Sequence, residues 1–105
     1  MKEIEDEIVS TFKGLTDKRR LEILSILSKG EKCACHILER TNLTQSQLSY
    51  HCKILCESKL VKCRPEGKWC HYSLNLAGIE RAKELLDTFT NDNKENEICG
   101  ECKSK

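Results

Sequence analysis

The sequence predicts a mainly α-helical domain with a small β-hairpin. Several segments of the 105-residue chain repeat apolar residues at helical spacing, which is typical of amphipathic helices around one core. Two short β-rich runs flank Glu66-Gly67, with Pro65 near the turn, and this pattern indicates a hairpin. We therefore predict one domain over residues 1–89, followed by a polar, flexible, cysteine-containing tail over residues 90–105.

The first two helices are predicted from their apolar stripes. Residues 2–14 form the first helix, with a stripe of Ile4, Ile8, Val9, Phe12 and Leu15. Thr16 is the candidate N-cap of the second helix, and Gly30 is a plausible stop. The core face predicted for this second helix consists of Leu21, Ile23, Leu24 and Leu27.

Three further helical segments and turns follow. A short third helix covers about Lys32 to Thr41, and the turn "NLT" precedes Thr44, which can cap a fourth helix starting at Gln45. On that helix Leu48, Cys52 and Leu55 share one face, so we predict Cys52 to be a small buried hydrophobe. After the hairpin, in which Cys63 and Cys70 are expected to lie opposite each other, a last helix runs from about Leu76 to Phe89. Its apolar stripe is Ile79, Ala82, Leu86 and Phe89.

A short helix, a tight turn, an amphipathic helix and a hairpin form the layout of a winged helix-turn-helix. The polar face of the fourth helix is then the candidate reader of the DNA major groove. We predict contacts to DNA from Gln45, Ser46, Gln47, Ser49, Tyr50, His51 and Lys53 on this helix, and phosphate contacts from Arg64 and Lys68 on the hairpin. The alternative is a polar helix face that only meets water.

The charge distribution agrees with a DNA-binding body. The net charge of +1 divides into −3 over residues 1–9, +6 over residues 10–75 and −2 over residues 76–105. A basic middle suits a polyanion partner. No run of about 18 apolar residues suits a membrane span, and the acidic start "MKEIEDEI" does not look like a signal peptide, so we expect a cytoplasmic protein.

Cysteine is unusually abundant, with eight residues in this short chain. In a reducing cytosol clustered thiols more often serve metal or redox chemistry than structural disulfides. The first two, Cys33 and Cys35, open the predicted third helix beside Lys32 and His36. The last two, Cys99 and Cys102, form the tail motif "CGEC".

Four motifs resemble the ArsR/SmtB family of repressors. They are "LTDKRRLEILSIL", "KCACHI", "LTQSQLSYHCKILCESKLV" and "EGKWCHYSL". The resemblance implies a homodimeric winged helix-turn-helix repressor that leaves its double-stranded operator when a metal or metalloid binds. It also implies that the terminal helices form the dimer interface.

Within that family "KCACHI" looks like the thiolate motif of arsenic-responsive and cadmium/lead-responsive members, and Cys33 and Cys35 match its two principal cysteines. The chain departs from the pattern at Leu38, where some arsenic sensors have a third cysteine, and at His36, where an acidic residue is usual. The N-terminal arm contains no cysteine, and residues 76–89 contain no histidine for a zinc or nickel site on the last helix.

The spacing of the two thiols suggests a switch. Residues two positions apart in a helix point about 200° apart, so we expect chelation to distort the first helical turn and thereby release the DNA. Lys32 and the helix N-terminus are expected to lower the thiol pKa. Cys99 and Cys102 are the candidates to complete the site, although they could instead form a separate site or redox couple.

We expect As(III) or Sb(III) as the inducer and no constitutive cofactor. The first alternative is a repressor of the same fold that responds to Cd(II), Pb(II) or Zn(II). The second is a thiol redox or persulfide sensor without any ion. An oxidoreductase using "CGEC" is disfavoured because such dithiols adjoin a strand and open a helix in a βαβ unit, so we expect no enzyme.

Overall fold

The computed structural model describes residues 2–91 and confirms the winged helix-turn-helix. The three strands form one antiparallel sheet in the order β1-β3-β2. Within the described residues, no helix has both the length and the apolar character of a membrane span. The elements are, in chain order, α1 (Lys2–Lys13), α2 (Lys18–Leu27), β1 (Lys32–Cys33), α3 (Ala34–Arg40), α4 (Gln45–Glu57), β2 (Val61–Glu66), β3 (Trp69–Leu74) and α5 (Leu76–Asn91).

One apolar core packs the helices against the sheet. Cys52 is 1% exposed inside it, in agreement with its position between Leu48 and Leu55 on α4. Burial of such side chains is the main favourable contribution to folding. The largest fully buried side chains besides Cys52 are Ile23, Leu27, Ile37, Leu55 and Leu85.

The start of α2 differs from the prediction. Asp17, not Thr16, is the N-cap, and its carboxylate accepts a hydrogen bond from the backbone N–H of Arg19 at 2.8 Å. The core face is also partly wrong, because Leu21 is 46% exposed whereas Arg20 is buried. The helix is therefore rotated relative to the face that its leucines suggested.

The segment before α3 is a strand, so the prediction of a helix starting at Lys32 is wrong. Lys32 pairs with Tyr72 and Cys33 with His71 in an antiparallel ladder. This pairing with β3 gives Lys32 and Cys33 an extended backbone, and α3 begins only at Ala34. The two-residue strand β1 joins the edge of the hairpin and makes it a three-stranded sheet.

The hairpin turn lies one position further along the chain than predicted. Glu66 pairs with Trp69, which leaves Gly67 and Lys68 as the two-residue turn, and Gly67 has φ +63°. Because the register is set by this turn, Cys63 pairs with Tyr72 and not with Cys70. The predicted Cys63–Cys70 opposition is therefore wrong.

The helix α4 begins as predicted. Thr44 accepts a hydrogen bond from the backbone N–H of Gln47 at 3.1 Å, and the Gln47 amide oxygen accepts one from the backbone N–H of Thr44 at 2.9 Å. This reciprocal capping box stabilises the first turn of α4, whose polar face is exposed. At the other end of the chain, α5 continues to Asn91, two residues past the predicted end.

Candidate thiol site and DNA-contacting surface

Cys33 and Cys35 meet at the junction of β1 and α3. Cys33 is the N-cap of α3 with an extended backbone, at φ −71° and ψ 149°. Its sulfur lies 3.0 Å from that of Cys35, whose thiol donates the hydrogen bond. Since Cys33 stands outside the helix, the two side chains converge while α3 stays intact. The prediction that the helix holds these sulfurs apart is therefore wrong.

The two thiols differ in acidity. The hydrogen bond from Cys35 and the backbone N–H groups of Cys35 and His36 lower the pKa of the Cys33 thiol. The same bond raises the pKa of Cys35, which is the donor. The expected lowering therefore holds for Cys33 only, and its largest cause is the neighbouring thiol. A thiolate at Cys33 is the form that attacks electrophiles and binds soft ions.

The geometry of the pair suits coordination without unwinding of the helix. Two thiolates in a tetrahedral site with metal–sulfur distances near 2.3 Å lie about 3.8 Å apart. The sulfurs would thus separate by less than about 1 Å from the 3.0 Å seen in this structure. Within residues 2–91, no group of three or more His, Cys, Asp or Glu side chains is arranged to hold a metal ion. Cys99 and Cys102, the predicted additional ligands, lie outside the described residues.

The four other described cysteines lie where α4 faces the hairpin. Burial raises the pKa of the Cys52 thiol to about 12, and desolvation together with a hydrogen bond to Cys70 raises that of Cys63, an exposed residue, to about 11. Burial also raises the pKa of Cys56. Cys70 and Cys56 pack against the edge of the core. At neutral pH Cys52, Cys56 and Cys63 are therefore protonated, which makes them poorer ligands than Cys33.

The polar face of α4 is open to solvent, with one exception. Tyr50 is 60% exposed, and Gln47 is exposed although its amide oxygen is engaged in the cap. His51 is only 4% exposed, and its Nδ1 lies 2.9 Å from Nη1 of Arg20. Its inclusion among the DNA-contacting residues is therefore wrong. The exposed candidates on α4 are Gln45, Ser46, Gln47, Ser49, Tyr50 and Lys53.

The hairpin forms the wing and holds two exposed basic candidates. Lys68 lies in the turn, and Arg64 lies on β2. Arg64 is paired with Glu31, with Nη2 2.9 Å from Oε1 of the carboxylate. Nearby, Nε2 of His71 lies 3.0 Å from Oε1 of Glu66. Sequence reasoning did not find Glu31, because its partner is 33 positions away along the chain.

Comparison with known proteins identifies the family. Residues 17–62 match the family described as bacterial regulatory protein, arsR family. The chain is 38% identical over 98 residues to the arsenical resistance operon repressor of Staphylococcus aureus, and the match covers 93% of each protein. This chain belongs to the ArsR family. A cadmium resistance transcriptional regulatory protein CadC homolog of the same species is 32% identical over 82 residues, covering 77% of this chain and 65% of the relative.

A solved structure supports the same family and fold. The homodimeric winged helix-turn-helix DNA-binding domain from Mycobacterium bovis, a possible ArsR-family transcriptional regulator, has a TM-score of 0.70 at 26% identity. The match covers 90% of this chain and 87% of that chain. The chain is accordingly an ArsR-type transcriptional repressor, and its exposed α4 and wing are the parts that this fold presents to DNA.

Proposed function

We propose that this ArsR-family repressor binds operator DNA as a homodimer and releases it when As(III) or Sb(III) binds Cys33 and Cys35. The observation that supports this proposal is the 3.0 Å approach of the two sulfurs at the N-terminus of α3. The name of the Staphylococcus aureus relative, an arsenical resistance operon repressor, supports the same inducer.

The chemistry of arsenite matches a thiol pair. Arsenous acid condenses with two thiols, so that two As–S bonds form, two As–O bonds break and two water molecules leave. One As–O bond then remains for a third thiol. Cys99 and Cys102 are the proposed sources of that thiol. Soft sulfur ligands favour such soft ions over hard cations.

The position of the pair connects the inducer with both DNA-contacting elements. Cys33 pairs with His71 of the wing, whereas Cys35 lies in the first turn of α3, which leads through residues 41–44 to α4. An ion bound to both sulfurs fixes β1 relative to α3. It shifts the equilibrium away from the DNA-binding conformation only by the difference between its affinities for the two states.

Unpaired apolar surface on α1 and α5 supports the homodimer. Val9 is 70% exposed, and Leu86 and Phe89 are 53% and 59% exposed. An apolar groove beside these residues is lined in part by Phe12 of α1, Leu24 of α2 and Leu86 of α5. A small domain seldom leaves so much contiguous apolar surface in water unless another chain covers it.

Substitution of each thiol tests the site. We expect Cys33→Ser and Cys35→Ser to retain DNA binding and to lose release by arsenite. The measurement is fluorescence anisotropy on a labelled duplex that the wild-type protein has selected from a random-sequence library. Cys63→Ser, at an exposed cysteine on the wing, is the matched control and should respond like wild type. Arsenite release in both variants would show that the site lies elsewhere.

The same assay distinguishes the inducers. The CadC homolog among the relatives makes Cd(II), with Pb(II) and Zn(II), the second candidate. Release of DNA at lower concentrations of Cd(II) than of arsenite would assign the chain to the cadmium-responsive repressors. A thiol redox sensor requires neither ion, because oxidation alone joins Cys33 and Cys35, and it would respond to peroxide in the presence of a chelator.

A further inference from the structure

The wing residue Arg64 is held by a carboxylate from outside the wing. Its Nε and Nη2 donate to the two oxygens of Glu31 at 3.0 and 2.9 Å, which is a bidentate arrangement. Its Nη1 donates to Oε1 of Glu66 at 3.4 Å. Because Glu31 directly precedes β1, the pair ties the wing to the segment that contains Cys33. The guanidinium and the carboxylate are both partly exposed, at 55% and 39%.

We propose that Glu31 is an intramolecular competitor of DNA phosphate for Arg64. The planar fork of a guanidinium binds a carboxylate and a phosphate through the same two donors, so one anion excludes the other from that face. In the free protein Glu31 occupies these donors, and on DNA a phosphate replaces it. The inference rests on the proposed function, because it assumes that the wing meets DNA.

The competitor is close to the thiols. Glu31 is two residues before Cys33 and directly precedes the β1–β3 ladder, in which Cys33 pairs with His71. The His71 side chain contacts Glu66, the second acceptor of Arg64. The carboxylate that competes for Arg64 therefore belongs to the same chain segment as the thiol pair.

Removal of the carboxylate tests the competition. We expect Glu31→Gln to bind DNA about two- to fivefold more tightly than wild type without inducer, since exposed ion pairs are weak. Glu31→Asp keeps the charge but shortens the side chain, so it should also bind more tightly. The probes are the selected duplex and a duplex of unrelated sequence. Both should respond, because phosphate contacts are independent of sequence.

Two controls make the result specific. Glu57→Gln changes the net charge equally at an exposed residue at the end of α4, which belongs neither to the DNA-contacting residues nor to the proposed dimer helices, and should leave the affinity unchanged. In a protein that already carries Arg64→Gln, Glu31→Gln should not change the affinity for DNA, because the guanidinium for which Glu31 competes is absent. Equal or weaker binding by Glu31→Gln, or a gain that persists without Arg64, would overturn the proposal.

The same titrations separate this proposal from the proposed function. Failure of the wild-type protein to bind DNA, or to release it with arsenite, contradicts the proposed function. If wild type binds and releases while Glu31→Gln gains no affinity, only the competition between Glu31 and phosphate is refuted.

Discussion

The buried arginine of α2, Arg20, links this helix to α1 and to α4, the helix that this fold presents to DNA. Arg20 is 5% exposed, and its Nη2 donates to the carbonyl of Lys13 at 3.2 Å and to the hydroxyl of Thr16 at 3.3 Å. Its Nη1 donates to Nδ1 of His51 at 2.9 Å. Since arginine is always a charged donor, His51 must accept at Nδ1 and stay neutral. The contact fixes how α4 sits on α2.

This pair predicts an acid-sensitive stability. Burial, together with the charge of Arg20, lowers the pKa of His51 below its usual 6.5 despite the opposing effect of Asp17. Below about pH 6.5 the unfolded chain binds a proton that the folded chain excludes, so the free energy of unfolding falls as the pH decreases towards the lower, folded-state pKa. Above about pH 6.5 His51 is neutral in both the folded and the unfolded chain, so no stability is lost through its protonation. The loss is at most about 1.4 kcal/mol per pH unit.

Urea unfolding at pH 7.5 and 5.5 measures this effect. His51→Gln keeps an oxygen that can accept from Arg20 but cannot titrate, so the difference between the two pH values should be smaller in the variant than in wild type. An equal pH dependence in both proteins would mean that His51 is not the group responsible.

At the scale of elements, α5 packs unusually close to the end of α4. Lys59 leaves α4 with φ +65°, and Leu60 then accepts a hydrogen bond at its carbonyl from the backbone N–H of Asn75 at 2.9 Å. The Asn75 side chain caps α5 by accepting from the N–H of Gly78 at 3.1 Å. A Cβ on Gly78 would lie 1.6 Å from the carbonyl oxygen of Lys59. Only glycine fits this approach.

We therefore expect Gly78→Ala to destabilise the fold by more than about 2 kcal/mol, because neighbouring backbone would have to move. The direction of the change in the free energy of unfolding is informative, since glycine to alanine inside an unobstructed helix stabilises by roughly 0.5–1 kcal/mol. Thermal and urea unfolding provide the measurement. Asp87→Ala, at an exposed position of α5, is the control for helix propensity. A stabilised Gly78→Ala protein would contradict the close packing.

The elements that the sequence predicted well are those specified locally. The capping box at Thr44 and the amphipathic pattern of α4 depend on neighbouring residues, so both could be predicted. The strand β1 depends on pairing with β3, about 40 positions later, and no local signal indicated it. Because this strand was missed, the convergence of the Cys33 and Cys35 sulfurs was not predicted. Sequence reasoning likewise placed His51 on the DNA-contacting face and did not single out Arg20, because the burial of each side chain depends on the other.

At the scale of the whole molecule, the apolar stripe predicted for α5 is divided between the core and the outer surface. Ala82 is buried, and Leu85, which the stripe did not include, is fully buried. Leu86 and Phe89 are more than half exposed. Periodicity identifies an apolar face but does not show whether the same chain or another copy covers it. A bidentate ion pair of Arg81 with Glu7, with both distances at 2.8 Å, links α5 to α1 beside these exposed residues.

The proposed homodimer leads to a last prediction. The double variant Leu86→Glu, Phe89→Glu places carboxylates where two copies would meet, and unpaired charges buried in an interface are strongly unfavourable. We expect a folded monomer, because both side chains are exposed within one chain. Its affinity for the selected duplex should fall by more than about tenfold, since two linked half-site contacts become independent.

Sedimentation equilibrium measures the mass, circular dichroism the fold, and anisotropy the affinity. Asp87→Lys changes the charge at an exposed position of the same helix that points away from Leu86 and Phe89, and it should remain dimeric, which separates loss of the interface from a change of charge. A double variant that sediments as a dimer would place the interface elsewhere. A monomer that binds DNA as tightly as wild type would instead show that one α4 and one wing suffice, because the second half-site would then add no affinity.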